Sequence, residues 1–143
     1  MHNPNKIRFL VLGLIKDNNN RVFLSQGYDA SKQQYFYRAL GGGIEFGERS
    51  VDALKREFQE ELDTAIANIQ YLNCLESIFS FNGQPGHEVI QLYQCDFANP
   101  DFYQKEEVRF NEGEREKVAR WVDIDKCRSG ELNVVPEQVR TYL

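Results

Sequence analysis

The sequence predicts a single-domain α/β fold over residues 1–143, and three observations carry that reading. The length is about that of one ordinary domain, and 41% of the residues are apolar, enough to close a core without disulfides or a structural metal. Most of the apolar residues fall in runs rich in β-branched and aromatic side chains, the composition of strands. One segment, 50–62, changes to a helical period between such runs.

Ile7 to Lys16 and Arg21 to Gln26 read as two strands joined into a hairpin by the turn Asp17, Asn18, Asn19, Asn20. That cluster lacks the alternating ligands, central glycine and closing glutamate of a calcium loop, so it is a turn. Asp29 to Gln34 is polar and loop-like. Tyr35 to Leu40 resumes a strand and runs into Gly41, Gly42 and Gly43, where a backbone can bend tightly or approach a ligand closely. In the helix Ser50 to Leu62, Val51, Leu54, Phe58 and Leu62 recur at spacings of three, four and four. Ser50 is the expected N-cap, and Asp52 suits the positive end of the dipole. Ile69 to Phe81 and His87 to Phe97 form a second hairpin with a longer loop over 82–86. Ala98 to Lys117 is expected to be a surface loop or short helix, Val118 to Val122 a last strand, and Val134 to Leu143, with Pro136 near its start, a short terminal helix.

Charge and cysteine content exclude several classes of function. The net charge is −5 with no dense basic block, so neither duplex nucleic acid nor an anionic membrane is an expected partner. Cys74, Cys95 and Cys127 lie far apart with no C-x-x-C pair, which fits reduced thiols and a cytoplasmic location. Met1 to Arg8 is polar, and the apolar run Phe9 to Ile15 is far shorter than the roughly 20 residues of a bilayer span, so neither a signal peptide nor a membrane helix is expected.

At 100° per helical residue, Glu57, Glu60 and Glu61 project within about a quarter turn of one another, away from the apolar stripe. Three like charges so close repel, and a divalent cation removes the penalty; Mg²⁺ and Mn²⁺ take such oxygen ligands and accept substrate phosphates in their remaining positions. Taken alone, E-x-x-E-E is more often the solvated face of a helix. The flanks decide otherwise: Gly42 to Glu61 has the form G-x5-E-x7-R-E-F-Q-E-E, with Glu48, Arg56, Glu57, Phe58, Glu60 and Glu61 in register. In this stretch the chain resembles the Nudix hydrolase family, whose box is G-x5-E-x7-R-E-U-x-E-E-x-G-U with U a bulky apolar residue. Asp63 and Thr64 depart from the last two fixed positions; the first departure touches the helix terminus, where glycine would take a left-handed conformation, and no metal ligand.

The resemblance implies an α/β/α sandwich, a mixed β-sheet with helices on its faces. It implies hydrolysis of the pyrophosphate bond in a nucleoside diphosphate linked to another moiety, with Mg²⁺ or Mn²⁺ held by Glu57, Glu60, Glu61 and the carbonyl of Gly41. Arg56 and Glu48 would orient the carboxylates and support the loop, as would Gly42. The general base lies either on the box helix or outside it; among Glu112, Glu114 and Glu116, Glu116 is favoured for its place just before the last strand. Tyr37 and Arg38 are the expected substrate contacts, with Tyr35 and Phe36 beside them. The expected partner is thus a small nucleotide derivative, and a homodimer is left open. Two rivals stand beside this reading: a nucleotide- or metabolite-sensing domain without turnover, and an isomerase of the isopentenyl diphosphate class, whose extra cysteine and glutamate site is not evident. Neither the proline nor the tyrosine that marks some family subgroups occurs near Phe79, Ser80, Phe81 and Asn82, and Leu40 stands where triphosphate-cleaning members often carry proline. His87 and Glu88 receive no role.

Overall fold

Two four-stranded sheets carry the chain. The computed structural model describes residues 6–143; residues 1–5 of the polar N-terminal stretch lie outside the described residues. The strands are β1 (Ile7–Ile15), β2 (Arg21–Asp29), β3 (Gln34–Arg38), β4 (Leu40–Gly43), β5 (Ile66–Phe81), β6 (Gln84–Phe97), β7 (Glu107–Glu112) and β8 (Arg115–Asp123), with helices α1 (Ser50–Leu62) and α2 (Ile124–Ser129). Sheet one has the order β4-β1-β6-β5 and is mixed, because β1 and β6 run parallel. Sheet two has the order β3-β2-β8-β7 and is antiparallel.

The expected β1–β2 hairpin does not form. Asp17 does make the predicted turn, its Oδ1 accepting from the backbone N–H of Asn19 and Arg21 at 2.9 Å each. A single bridge, Lys16 to Val22, follows it, and the strands then part into different sheets. Both are apolar on both faces: Leu10, Leu12 and Leu14 enter one core cluster and Val11 and Ile15 the other, while Val22 and Leu24 are divided from Phe23 in the same way. A strand buried on two faces belongs inside a sheet, and β1 lies between β4 and β6 while β2 lies between β3 and β8.

The glycine run is likewise a strand rather than a loop. β4 pairs antiparallel with β1, and a Cβ on Gly41 would overlap the Val11 carbonyl. The loop expected over 82–86 shrinks to a two-residue turn, Asn82–Gly83, with φ of 50° and 78°, the backbone a tight hairpin requires. Within 98–117 the short helix exists, as a 3-10 turn over Pro100–Gln104, but the rest is β7 and the start of β8, joined through Gly113 and Glu114. At the C-terminus a 3-10 helix spans Glu137–Tyr142.

Helix α1 packs Ala53, Leu54, Phe58 and Leu62 against Val11, Ile15, Tyr93, Cys95 and Phe97 of sheet one, with Phe23 and Trp121 of sheet two beside them. The other core joins the sheets through Leu10, Leu12, Ile90, Leu92, Val22 and Leu24 and is closed by Ile124, Cys127, Val139 and Leu143 of the C-terminal segments. Ser50 does not cap α1. Arg49 holds the N-cap position without a side-chain bond, and the Ser50 hydroxyl meets Tyr93 Oη at 2.6 Å. Asp63 closes the helix in the left-handed conformation, φ 49° and ψ 46°, the role its place in the box implied. The three cysteines are free thiols, and among the described residues no helix is long and apolar enough to cross a membrane.

Candidate active site

The inner end of α1, the glycine strand β4 and the β7–β8 hairpin meet around a group of carboxylates. Arg56 is the hub. Its Nε and Nη2 donate to Glu48 at 2.8 and 2.9 Å, Nη2 also donates to the Gly43 carbonyl at 2.9 Å, and Nη1 donates to Glu57 at 2.8 Å and to Glu60 at 3.3 Å. One guanidinium therefore ties the box loop, the glycine strand and two helix carboxylates together. These bonds, with one from the Glu45 N–H, hold the Glu48 carboxyl down at about 2 and push Arg56 further up. Gly42 gives Glu57 its place, because a Cβ there would collide with the Glu57 carboxyl group.

Deeper in the recess Glu61 and Glu112 lie close to Glu57, with Lys117, Arg8 and Arg38 also lining the recess. Burial raises Glu57 above the ordinary carboxylate range against the pull of Arg56. Burial, with Glu57 and Glu112 nearby, pushes Glu61 up to about 8. Burial acts the same way on Glu112 but is outweighed by Lys117, 3.4 Å away, and by Arg8, so Glu112 is lowered. The Oε2 of Glu61 is buried with no hydrogen-bond partner, which is a costly state for a carboxylate oxygen.

The structure brings Glu57, Glu60 and Glu61 to one helix face, with Gly41, Gly42, Glu61, Glu112 and Lys117 around a recess of about 70 Å³. It does not bring Glu116 there. Alternation along β7 turns Phe110 and Glu112 inward, and along β8 it turns Lys117, Ala119 and Trp121 inward, so Glu116 faces solvent and pairs with Arg109 at 3.0 Å. Of Glu112, Glu114 and Glu116, Glu112 has the inward parity, and the alternation V-x-F-x-E over 108–112 is the sequence signal for it.

The recess opens into a cavity of about 380 Å³ between the sheets, lined in part by Arg8, Arg38, Phe36 and Lys117. Arg38 is there as expected. Tyr37 is not: it packs against the core and bonds through its backbone to Asn133 and Val135. Phe36 faces the cavity in its stead, edge-on to Phe81 with ring centroids 5.7 Å apart.

The donors fit a hard divalent cation in kind, since all are carboxylate or carbonyl oxygens and one is orphaned. Among the described residues no three acidic, imidazole or thiol side chains converge on a single point; Arg56, Lys117, Arg8 and Arg38 hold positive charge at the site.

The NUDIX domain model matches residues 6–142. The chain belongs to the NUDIX family. No curated protein matches the sequence. Among solved structures, the chain is similar to a NUDIX hydrolase from Nitrosomonas europaea, with 17% identity and a TM-score of 0.63 over 92% of this chain and 82% of that one. A NUDIX-family hydrolase from Clostridium perfringens is 15% identical with a TM-score of 0.61 over 94% and 92% of the two chains. A MutT NUDIX hydrolase from Burkholderia pseudomallei is 21% identical with a TM-score of 0.57 over 85% and 86%. At these identities the likeness bears on the fold, and it agrees with the expected NUDIX sandwich and its mixed sheet.

Proposed function

We propose that this NUDIX chain hydrolyses the pyrophosphate bond of a nucleoside diphosphate linked to another moiety, with Mg²⁺ or Mn²⁺ as its cation. The observation that carries the reading is the buried, unpartnered Oε2 of Glu61 inside a cluster of carboxylates beside a glycine strand. Glu57, Glu60, Glu61 and the Gly41 carbonyl would hold the cation, and its chemistry there is to drain charge from the diphosphate and lower the pKa of the attacking water. Arg56, fixed at Glu48 and Gly43, keeps Glu57 and Glu60 in place. Glu112 is the base we assign, because it lies beside Glu61 and is held ionised by Lys117 and Arg8, as an acceptor of the water's proton must be. Arg38 supplies charge to the phosphates, and Phe36 offers an aromatic face for a base.

The test is a panel of nucleotide derivatives incubated with Mg²⁺, reading release of a nucleoside monophosphate, phosphate or pyrophosphate. Release that stops in excess chelator supports the reading. No release from any member, or full activity in chelator, overturns it.

A further inference from the structure

Glu88 is a buried carboxylate that the reaction above leaves without a role. On the sheet face turned to the second core, β1 contributes Leu10 and Leu12 and β6 contributes Ile90 and Leu92, each no more than 2% exposed. One step further toward the cavity, both strands interrupt this apolar stripe with a charge, Arg8 and Glu88, directly opposite each other in the parallel register. Glu88 is 6% exposed. Its Oε1 accepts from Arg38 Nη2 at 2.7 Å and its Oε2 lies 3.8 Å from Arg8 Nη1. Arg38 stands on β3 of the other sheet, so the pair spans the cavity.

Stability alone does not account for such a cluster, since a buried ion pair is commonly matched or exceeded by apolar residues of similar volume. Here the stripe of Leu and Ile shows what the fold would otherwise use. Arg8 and Arg38 line both the larger cavity and the recess holding Glu61 and Glu112. A guanidinium carries five N–H donors, and Glu88 occupies one of Arg38's. What Glu88 supplies is a fixed direction for two long, rotamer-rich side chains that would otherwise have to be ordered when a ligand arrives.

We propose that Glu88 is a positioning residue for the substrate's diphosphate, fixing Arg38 and Arg8 so that their free N–H groups meet its oxygens. The inference rests on the nucleotide reading above. It opposes a simple charge argument: removing Glu88 makes the cavity more positive, which by itself would tighten anion binding.

The two effects have opposite signs in one experiment. Binding of adenosine α,β-methylene diphosphate, a non-hydrolysable nucleoside diphosphate, is measured by calorimetry on the full metal-free chain, beside KM and kcat for a substrate from the panel. Glu88→Gln is expected to weaken binding roughly tenfold and raise KM in proportion while kcat stays within about threefold, since charge-assisted bonds to a fixed guanidinium are lost. Arg38→Lys, which keeps the charge and removes the fork, is expected to weaken binding similarly and covers the case in which Glu88→Gln does not fold. Binding as tight as wild type or tighter in the folded variants, with wild type active, overturns the role of Glu88 alone. A wild type that neither binds the analogue nor cleaves any nucleotide overturns both this inference and the reading it rests on.

Discussion

At the scale of single residues, the site depends on carboxylates whose surroundings differ. Glu57→Gln and Glu61→Gln would each remove a carboxylate ligand of the proposed cation, and turnover at saturating Mg²⁺ is expected to fall at least about a hundredfold, on the order of 3 kcal/mol of transition-state stabilisation. Steady-state rates retaining more than a tenth of wild type in both variants would show that this face is only solvated. Glu112 and Glu116 make a sharper pair. Glu112→Gln removes a carboxylate set beside Glu61 and is expected to depress kcat strongly, with Mg²⁺ affinity, read by calorimetry, changed little. Glu116→Gln breaks an exposed pair with Arg109, an interaction worth about 0–1 kcal/mol, and activity should stay within about twofold. The reverse ranking would return the base to Glu116.

At the scale of elements, what was legible in the sequence was whatever one period could settle. α1 has its apolar stripe, its acidic face and its left-handed terminus at Asp63, all of which follow from 3.6-residue spacing and the box. β1, β2, β3, β5, β6 and the end of β8 were legible one by one and β4 and β7 were not; of the pairings only the β5–β6 hairpin was legible. The Asn-rich turn after β1 is local hairpin chemistry, and burial of both faces of β1 and β2 overrode it by drawing each into the middle of a sheet. Helix α2 was missed, although Asp123, whose side chain accepts from the Asp125 N–H, and the left-handed Gly130 are a start and a stop signal. The same helix-end physics gives a prediction. Asp63 holds a conformation that suits glycine better by about 1 kcal/mol, and it puts a negative charge at the negative end of α1. The bond from Gln59 Nε2 to Asp63 Oδ1, 2.7 Å long but exposed, offsets only part of this. Asp63→Gly should therefore raise the melting temperature by roughly 2 to 4 °C with turnover within about threefold of wild type. A loss of activity near a hundredfold would make Asp63 part of the site.

At the scale of the whole molecule, the strained carboxylates link folding to protons and cations. The folded chain holds Glu61 up at about 8, against 4.5 ordinarily, and Glu57 is shifted the same way by burial. Between about pH 5 and pH 8 the folded state thus binds more protons than the unfolded one, and stability falls as pH rises. Glu48 has the opposite sign: held at about 2 by Arg56, it adds stability above the ordinary carboxylate range that is lost as pH falls toward 2. The metal-free protein is expected to melt highest near about pH 5 and measurably lower at about pH 8. On the proposed reading a divalent cation is expected to reverse the alkaline loss, because it would bind the deprotonated ligands of the folded state alone. At a hundredfold excess over Kd this adds about 2.7 kcal/mol, or roughly 5 to 10 °C for a domain of this length. The cation's effect should be larger at pH 8 than at pH 5, since at pH 5 it must displace the Glu61 proton. Glu61→Gln, which carries no proton to lose, should flatten the alkaline slope and shrink the Mg²⁺ shift together. Thermal melts of both proteins at the two pH values, with Mg²⁺ and with chelator, decide the matter: a slope and a shift that survive in Glu61→Gln would locate the linkage in other groups.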